Sequence, residues 1–287
     1  MIQGRRCIRI FGCVLSVLCS IPALPSQAEE AVRRVVSLGP YLTESLFALR
    51  AEEYVVGVTS YCVRPEQARQ VAKVGGVVDV NAERIVALRP DAVLATPLTQ
   101  VKAREKLRSL GIRVIDFEQP KNFADICEQL RRLARLVDRT AQAEEIINAA
   151  QARLAAVRQR VAGQPAVTVF LQVGSRPLFT MTRGNFVNDM VEQAGGKNIA
   201  ASAASGLYSR EMVISQDPEV LIIATMGIVS EDEQRQWERY PGLRAVQNHR
   251  IYALDPYLVG SPNPLNFAHG VELMADFLHP RSGGAHE

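Results

Sequence analysis

The side chains that most often perform chemistry are sparse in this sequence. The four histidines lie late in the chain, at His249, His269, His279 and His286. A site for a bare metal ion needs a cluster of histidines and carboxylates, which this distribution does not favour. The sequence contains no nucleophile elbow, no Gly-Lys-Ser phosphate loop and no zinc-protease helix. It therefore predicts no catalytic residues, no resident cofactor and no metal ligands, and a secreted α/β hydrolytic enzyme is the less favoured alternative.

Two glutamates, in contrast, occupy matching positions in the two halves of the chain. Glu83 lies seven residues before the segment 90–94 (PDAVL), and Glu211 lies seven residues before the segment 218–222 (PEVLI). In each half an acid begins a predicted helix, a proline ends the helix and a buried strand follows. An acid in the first helical turn gains a few tenths to about 1 kcal/mol from the helix dipole. That gain explains either glutamate alone but not the matched pair.

The N-terminal residues predict export. Three arginines precede an apolar stretch over residues 10–24, and the small residues of Ser26-Gln27-Ala28 follow. A basic start, a short apolar core and a small-x-small end predict a secretory signal peptide over residues 1–28. The apolar run is short for a membrane-spanning helix, which needs roughly 20 apolar residues, although an uncleaved anchor is the alternative. We therefore expect a periplasmic protein.

Charge and cysteine content narrow the class further. The chain has 33 basic and 30 acidic residues, and removal of residues 1–28 takes three arginines and no acid away. Balanced charge without a basic run argues against nucleic acid and against a polybasic membrane surface. Cys62 and Cys127 remain after cleavage, and they form either a disulfide or two unpaired, half-buried thiols.

Short apolar strands alternate with helices in two blocks, which predicts mostly parallel sheets covered on both faces. In the first block we predict strands over residues 34–38, 55–58, 92–95 and 113–115. In the second block we predict strands over residues 167–173, 220–224 and 251–254. Trp237, the only tryptophan, falls in a predicted helix over residues 231–240, where we expect it at the surface.

The segment between the two blocks predicts one long helix. Residues 140–161 contain neither glycine nor proline and are rich in strong helix formers, and they would extend about 33 Å. We therefore predict an N-terminal α/β lobe over residues 32–138, a connecting helix over 139–163, a C-terminal α/β lobe over 164–280 and a tail over 281–287.

Seven ordered motifs carry a resemblance to a known family. They are the segments 34–44 (RVVSLGPYLTE), 55–61 (VVGVTSY), 74–76 (VGG), 81–91 (NAERIVALRPD), 169–173 (VFLQV), 195–198 (GGKN) and 209–211 (SRE). Together they resemble the periplasmic cobalamin-binding protein family, whose members serve ABC transporters as substrate-binding proteins for cobalamin, ferric siderophores and haem. The similarity covers essentially the whole chain after the signal peptide. It implies two Rossmann-like lobes with parallel sheets joined by one long backbone α-helix, with the ligand held between the lobes.

The resemblance also implies partners and roles. A monomer would capture a bulky metal chelate, with a cobalt corrinoid as the first expectation and an iron chelate as the alternative, and deliver it to a permease dimer in the inner membrane. Glu83 and Glu211 match the acids that dock onto arginines of the permease. Separated charge pairs of this kind fix orientation and speed encounter more than they add affinity.

The ligand site is less completely matched. Tyr61 matches an aromatic residue that packs on cobalamin, whereas Val77 stands where the cobalamin receptor has a tryptophan, and a second tryptophan is also missing. Tyrosines on predicted loops and helix starts are candidate substitutes, either as stacking groups or as ordinary half-buried residues; they are Tyr41, Tyr208 and Tyr257. Arg176 follows a strand of the second lobe, where ligands meet open α/β sheets, and either pairs an acidic group or faces solvent.

Overall fold

A computed structural model describes residues 1, 31–225 and 230–280 of the chain. The predicted signal peptide over residues 1–28 and the tail over 281–287 fall outside this part, except for Met1. The described residues from Ala31 on belong to one compact unit. Among the described helices, none combines the length and the apolar character needed to cross a membrane.

The first sheet consists of four strands, β1 (Val35–Ser37), β2 (Val55–Val58), β3 (Ala92–Ala95) and β4 (Val114–Asp116). It is parallel and has the strand order β2-β1-β3-β4. Its helices are α1 (Pro40–Ala48), α2 (Ala82–Ala87), α3 (Val101–Ser109) and α4 (Phe123–Leu136). Every residue of β1 and β3 is buried, because helices cover both faces of the sheet, as the uninterrupted apolar runs predicted.

The second sheet repeats this order. Its strands are β5 (Val167–Ser175), β6 (Leu178–Thr180), β7 (Gly196–Asn198), β8 (Val220–Ile223) and β9 (Ile251–Ala253). Its four parallel strands lie side by side in the order β7-β5-β8-β9. Counted along the chain without the antiparallel β6, this is the order second, first, third, fourth, which the first sheet also has. Strand β6 pairs antiparallel with the carboxyl half of β5. The helices are α6 (Phe186–Gln193), α7 (Arg210–Gln216), α8 (Ser230–Glu238), α9 (Arg244–Gln247), α10 (Pro256–Gly260) and α11 (Pro264–Leu278).

One long helix, α5 (Thr140–Val161), joins the two sheets, so the predicted connector is confirmed. Its buried residues recur every three or four positions and form one stripe, which consists of Ala143, Ile147, Ala150, Leu154 and Val157. The first two belong to the hydrophobic core of the first sheet and the last three to that of the second. A single helical face therefore contributes to both cores, which fixes the two lobes on one support.

Helix α11 reinforces this support through charged contacts with α5. The guanidinium of Arg153 binds both carboxylate oxygens of Glu272, at 2.8 and 2.5 Å, and Arg160 binds Asp276 at 2.6 Å. Rings of Phe123 in α4 and Phe267 in α11 also lie 5.0 Å apart. Helices α4 and α11, which belong to different lobes, thus pack together next to α5. The chain consists of two Rossmann-like lobes with parallel sheets and a helical backbone.

The expectation for Trp237 was wrong. Its side chain is fully buried, and its indole N–H donates a 2.7 Å hydrogen bond to the side-chain oxygen of Gln172 in β5. Helix α8 contains many charged residues, and this composition suggested that all of its faces are exposed. Its inner face nevertheless packs Trp237 against Phe170.

Candidate functional site

The carboxyl edges of the two sheets face each other. Arg64 follows β2 of the first sheet, and Asp255 follows β9 of the second; their side chains form an ion pair at 3.1 Å. The Arg64 guanidinium also lies 3.8 Å from the centroid of the Tyr257 ring. Because the carboxyl ends of parallel strands meet at one edge of a sheet, these contacts bring together the two edges at which open α/β sheets bind ligands.

A second set of contacts between the lobes centres on Glu44 in α1. One carboxylate oxygen of Glu44 accepts hydrogen bonds from the amides of Asn263, at 3.2 Å, and Asn266, at 3.0 Å. Burial raises the pKa of Glu44 above its usual value, although the hydrogen bonds from the two asparagines and the charge of Arg64 oppose the shift. Glu44 thus ties the first lobe to the start of α11.

The first lobe exposes apolar side chains at its carboxyl edge. The ring of Tyr61 is 62% exposed and Leu98 is 63% exposed, and Val78 lies exposed on the loop between β2 and α2. That loop is held against the loop after β3 by a 3.2 Å hydrogen bond from Gln100 to Asp79. Large apolar groups that are left exposed together on ordered loops are typical of a binding surface.

The second lobe exposes a corresponding apolar pair. Phe179 in β6 is 37% exposed and Leu207 is 58% exposed, and the backbones of the two residues form an antiparallel bridge. A Cβ atom at Gly206 would lie 2.5 Å from the Phe179 ring, so glycine is needed for this close approach. Sequence reasoning missed Phe179, Leu207 and Leu98, because none of them belongs to a matched motif.

The other predicted ligand contacts differ in exposure. Tyr61 presents an exposed ring, and Val77 is half-buried next to the exposed Val78. Arg176 is exposed at the tip of the β5–β6 hairpin, beside the strand that carries Phe179. These residues lie on the loops at the carboxyl edges, and their contacts with a ligand stay a prediction.

The three substitute tyrosines are less available. Tyr41 is buried in the core of the first sheet, and burial raises the pKa of its hydroxyl. Tyr208 packs on the ring of Phe170 at 5.4 Å, and its hydroxyl accepts a hydrogen bond from Gln216. One face of Tyr257 is covered by Arg64. Among the predicted aromatic residues, Tyr61 is therefore the one that offers a large exposed surface.

The matched glutamates occupy equivalent positions in the structure. Glu83 is the second residue of α2, where the Asn81 side chain accepts a 2.9 Å hydrogen bond from a backbone N–H of the first turn. Glu211 is the second residue of α7, where the Ser209 side chain accepts a 3.2 Å bond in the same way. Both carboxylates are exposed. A backbone hydrogen bond at Glu211 itself, a hydrogen bond from Ser209 and the nearby charge of Arg210 hold the pKa of Glu211 below its usual value.

The equivalence extends to the ends of these two helices. The residue before each proline adopts a left-handed conformation, with φ of 46° at Arg89 and 45° at Asp217. Each proline is then followed by a central strand, β3 or β8. The sequence repeat therefore corresponds to a repeated helix–turn–strand unit that presents one acid from each lobe.

Cys62 and Cys127 are free and buried, so the structure shows the alternative of two unpaired thiols. The Cys62 sulfur lies 3.2 Å from the hydroxyl oxygens of both Thr43 and Thr59. Burial raises the pKa of Cys127 to about 11. In the described ranges 31–225 and 230–280, no group of three or more histidine, cysteine or acidic residues is arranged to hold a metal ion.

Comparisons with known proteins agree with this architecture. A family model described as periplasmic binding protein matches residues 35–258. The vitamin B12-binding protein of Yersinia pestis is 31% identical over 211 residues, which cover 72% of this chain and 74% of that protein. The structure of the periplasmic vitamin B12-binding protein of Vibrio cholerae superposes with a TM-score of 0.76 at 25% identity, over 86% of this chain and 96% of that one. A periplasmic haem-binding protein of Roseiflexus superposes with a TM-score of 0.74 at 27% identity, over 86% of this chain and 98% of that one.

Proposed function

We propose that this chain, which belongs to the periplasmic binding protein family, captures a bulky metal chelate in the periplasm and delivers it to an ABC-importer permease. A cobalt corrinoid is the preferred ligand class, and a ferric siderophore or haem is the alternative. The observation that carries the proposal is that the two carboxyl edges meet through Arg64 and Asp255 and that each exposes apolar side chains; we place the ligand in a cleft between them. The chain would act as a monomer, after cleavage of residues 1–28, on a permease dimer in the inner membrane.

The exposed groups suit a broad, flat ligand. Tyr61 and Leu98 on one lobe and Phe179 and Leu207 on the other offer apolar area without polar groups of their own, except for the Tyr61 hydroxyl. Aromatic rings provide large contact areas at a low cost in conformational entropy. A chelate that contacts both lobes at once would bury all four side chains, whereas a small solute would leave most of them in water.

Haem is the second candidate, and a specific observation supports testing it. The Tyr61 ring is exposed on the first lobe, so its hydroxyl is available as an oxygen ligand for iron. The relatives named above include proteins described as vitamin B12-binding and haem-binding. Coordination by Tyr61 and stacking on Tyr61 make different demands, since only coordination needs the hydroxyl.

The test is equilibrium dialysis of residues 29–287 against cyanocobalamin, cobinamide, ferrichrome and haemin, with absorption spectra of each complex. We expect saturable binding of a corrinoid at one site per chain. Tyr61→Phe, which keeps the ring, should preserve corrinoid binding. If haemin binds instead, with a shifted Soret band that Tyr61→Phe abolishes, the ligand is haem. Absence of binding to all four chelates would contradict the proposal.

Delivery is assigned to Glu83 and Glu211. Each carboxylate is exposed at the start of a capped helix, and the two helices belong to different lobes. Two separated charges can pair with arginines of two permease subunits and so determine how the protein is oriented on the membrane surface. Because both carboxylates are exposed and the proposed ligand contacts are made by other side chains, their substitution should change transport and leave the affinity for the chelate unchanged.

A further inference from the structure

A buried cluster of polar side chains in the second lobe joins three elements of the fold. Glu233 in α8 has a side chain that is 6% exposed and pairs with Arg210 of α7 at 2.9 Å. The same carboxylate oxygen accepts a 2.8 Å hydrogen bond from Gln172 of β5. The Arg210 guanidinium lies 4.4 Å from the ring centroid of Trp237, whose indole N–H donates to Gln172. We call these four residues the Glu233 cluster.

The cluster is stabilised as an ionised pair. Burial raises the pKa of Glu233, but hydrogen bonds from Gln172, Arg210 and Ser175, together with the charge of Arg210, hold it below its usual value. A buried ion pair contributes little net stability against an apolar replacement, but removal of one partner leaves an uncompensated buried charge. Because separating the two charges inside the protein is costly, Arg210 and Glu233 are held at hydrogen-bond distance from each other. The cluster therefore fixes α7, which carries Arg210, relative to α8 and β5.

The cluster fixes the residue next to a docking glutamate. Arg210 is the first residue of α7, and Glu211 is the second. With the Arg210 side chain held inward by Glu233 and by the Trp237 ring, the start of α7 has one favoured position relative to the sheet. Glu211 forms no ion pair among the described contacts, and the hydrogen bonds that act on its carboxylate come from its own backbone and from Ser209. Both belong to the start of α7, so the position of Glu211 depends on the backbone that Arg210 holds.

The first lobe has no equivalent of this arrangement. The residue that corresponds to Arg210 is Ala82, the first residue of α2. Its methyl group packs into the apolar core of the first sheet with Ile85 and Leu107. Glu83 is thus positioned by apolar packing, whereas Glu211 is positioned by a buried charge, and the two docking acids can be perturbed independently.

We propose that Glu233 and Arg210 are positioning residues that hold Glu211 in the orientation required for docking on the permease, and that they act on the second lobe alone. The inference rests on the proposed function, because it assigns the cluster a role in delivery. It predicts an energetic coupling of Glu233 to Glu211 and none to Glu83, which neither a general stabilising role nor a ligand-binding role would produce.

The experiment is a pair of double-mutant cycles on transport. The variants are expressed in cells of the source bacterium from which the chromosomal gene for this protein has been deleted. The single variants are Glu233→Gln, Glu211→Ala and Glu83→Ala. The double variants combine Glu233→Gln with either Glu211→Ala or Glu83→Ala. Uptake of labelled cyanocobalamin is measured, or of whichever of cobinamide, ferrichrome and haemin binds the purified protein most tightly. Glu233→Gln is expected to lower uptake about fivefold, since coupling within one charge network corresponds to changes of roughly 2- to 150-fold.

The expected result is non-additivity with one acid only. Adding Glu233→Gln to Glu211→Ala should cause less than a further twofold loss, while adding it to Glu83→Ala should multiply the two separate losses. Chelate affinity should remain within twofold of the unmutated protein in every variant. The inference would be overturned if the losses of uptake multiplied in both cycles, or if they deviated from multiplication equally in both. Loss of chelate affinity with Glu233→Gln would also overturn it.

Two controls keep the outcome interpretable. If Glu233→Gln does not fold, Glu233→Gln combined with Arg210→Met removes both members of the pair and leaves no uncompensated buried charge, and the same cycles apply with this combined variant. Hydrogen exchange of the intact protein then reports whether the hydrogen-bonded amides of Met212 and Val213 in α7 lose protection, while those of Arg84 and Ile85 in α2 do not. If neither Glu83→Ala nor Glu211→Ala affects uptake, the docking role itself is wrong, which differs from a failure of the cluster alone.

Discussion

Tyr61 provides the most quantitative test of the cleft. The residue is 62% exposed. An aromatic side chain offers ~200 Å², so ~120 Å² is accessible, and a flat chelate that stacks on one face would cover about half of it. At ~25 cal/mol per Å², the ~60 Å² that becomes buried contributes about 1.5 kcal/mol to binding. Since 1.4 kcal/mol corresponds to a factor of ten, Tyr61→Ala should raise Kd about tenfold.

The assay is isothermal titration of the purified protein with the chelate that binds in the dialysis experiment. Tyr61→Phe retains the stacking surface and should raise Kd less than about twofold for a corrinoid. Leu110→Ala is the matched control, because Leu110 is 53% exposed but follows α3, before the amino end of β4. It should leave Kd unchanged. An unchanged Kd for Tyr61→Ala, or an equal loss for Leu110→Ala, would refute the assignment of the cleft loops as the binding surface.

Two further predictions concern the contacts that hold the lobes together. The raised pKa of Glu44 means that the folded protein binds a proton at this carboxyl more tightly than the unfolded chain does. Protonation of Glu44 therefore stabilises the fold fully at acid pH. This stabilisation falls as the pH rises from the usual pKa of 4.5 through the raised pKa. Glu44→Gln should remove that pH dependence from urea midpoints measured between pH 4 and 7, and an unchanged slope would contradict the shift. Leu154→Ala in α5 should lower the free energy of unfolding by about 2–5 kcal/mol, whereas the exposed Gln151→Ala should change it by less than about 0.5 kcal/mol; equal effects would contradict the packing of the buried stripe.

Sequence reasoning succeeded where the signal is local. Helix α5 was predictable at both ends, because residues 140–161 lack glycine and proline and consist of strong helix formers. The matched glutamates were predictable because each is followed by a proline and an apolar run at fixed spacing. Capping by Asn81 follows from the same local chemistry.

It failed where the outcome depends on contacts between distant residues. The pairing of Arg64 with Asp255 and Tyr257 joins loops that lie far apart in the chain, and nothing in either loop specifies the other. Strand β6 was missed because a three-residue strand after Arg176-Pro177 has no periodicity that separates it from a loop. Phe179 was therefore missed with it.

Trp237 illustrates a different limit. A helix with many charged residues suggests an exposed element, but one aromatic residue on its inner face is enough to bury that face. The partner that satisfies the indole N–H is Gln172, which lies on a strand 65 positions earlier in the chain. A polar residue inside an apolar strand was the only sequence signal for this contact.

Reversal of both docking charges tests the central claim most directly. Glu83→Lys combined with Glu211→Lys should abolish chelate uptake by cells, because each introduced lysine would repel the permease arginine that we propose binds the native acid. The same double variant, purified, should bind the chelate with a Kd within about twofold of the unmutated protein, since a tenfold change would require 1.4 kcal/mol. Normal uptake with intact binding would contradict delivery through these two acids. Loss of chelate binding would instead place Glu83 and Glu211 in the ligand site.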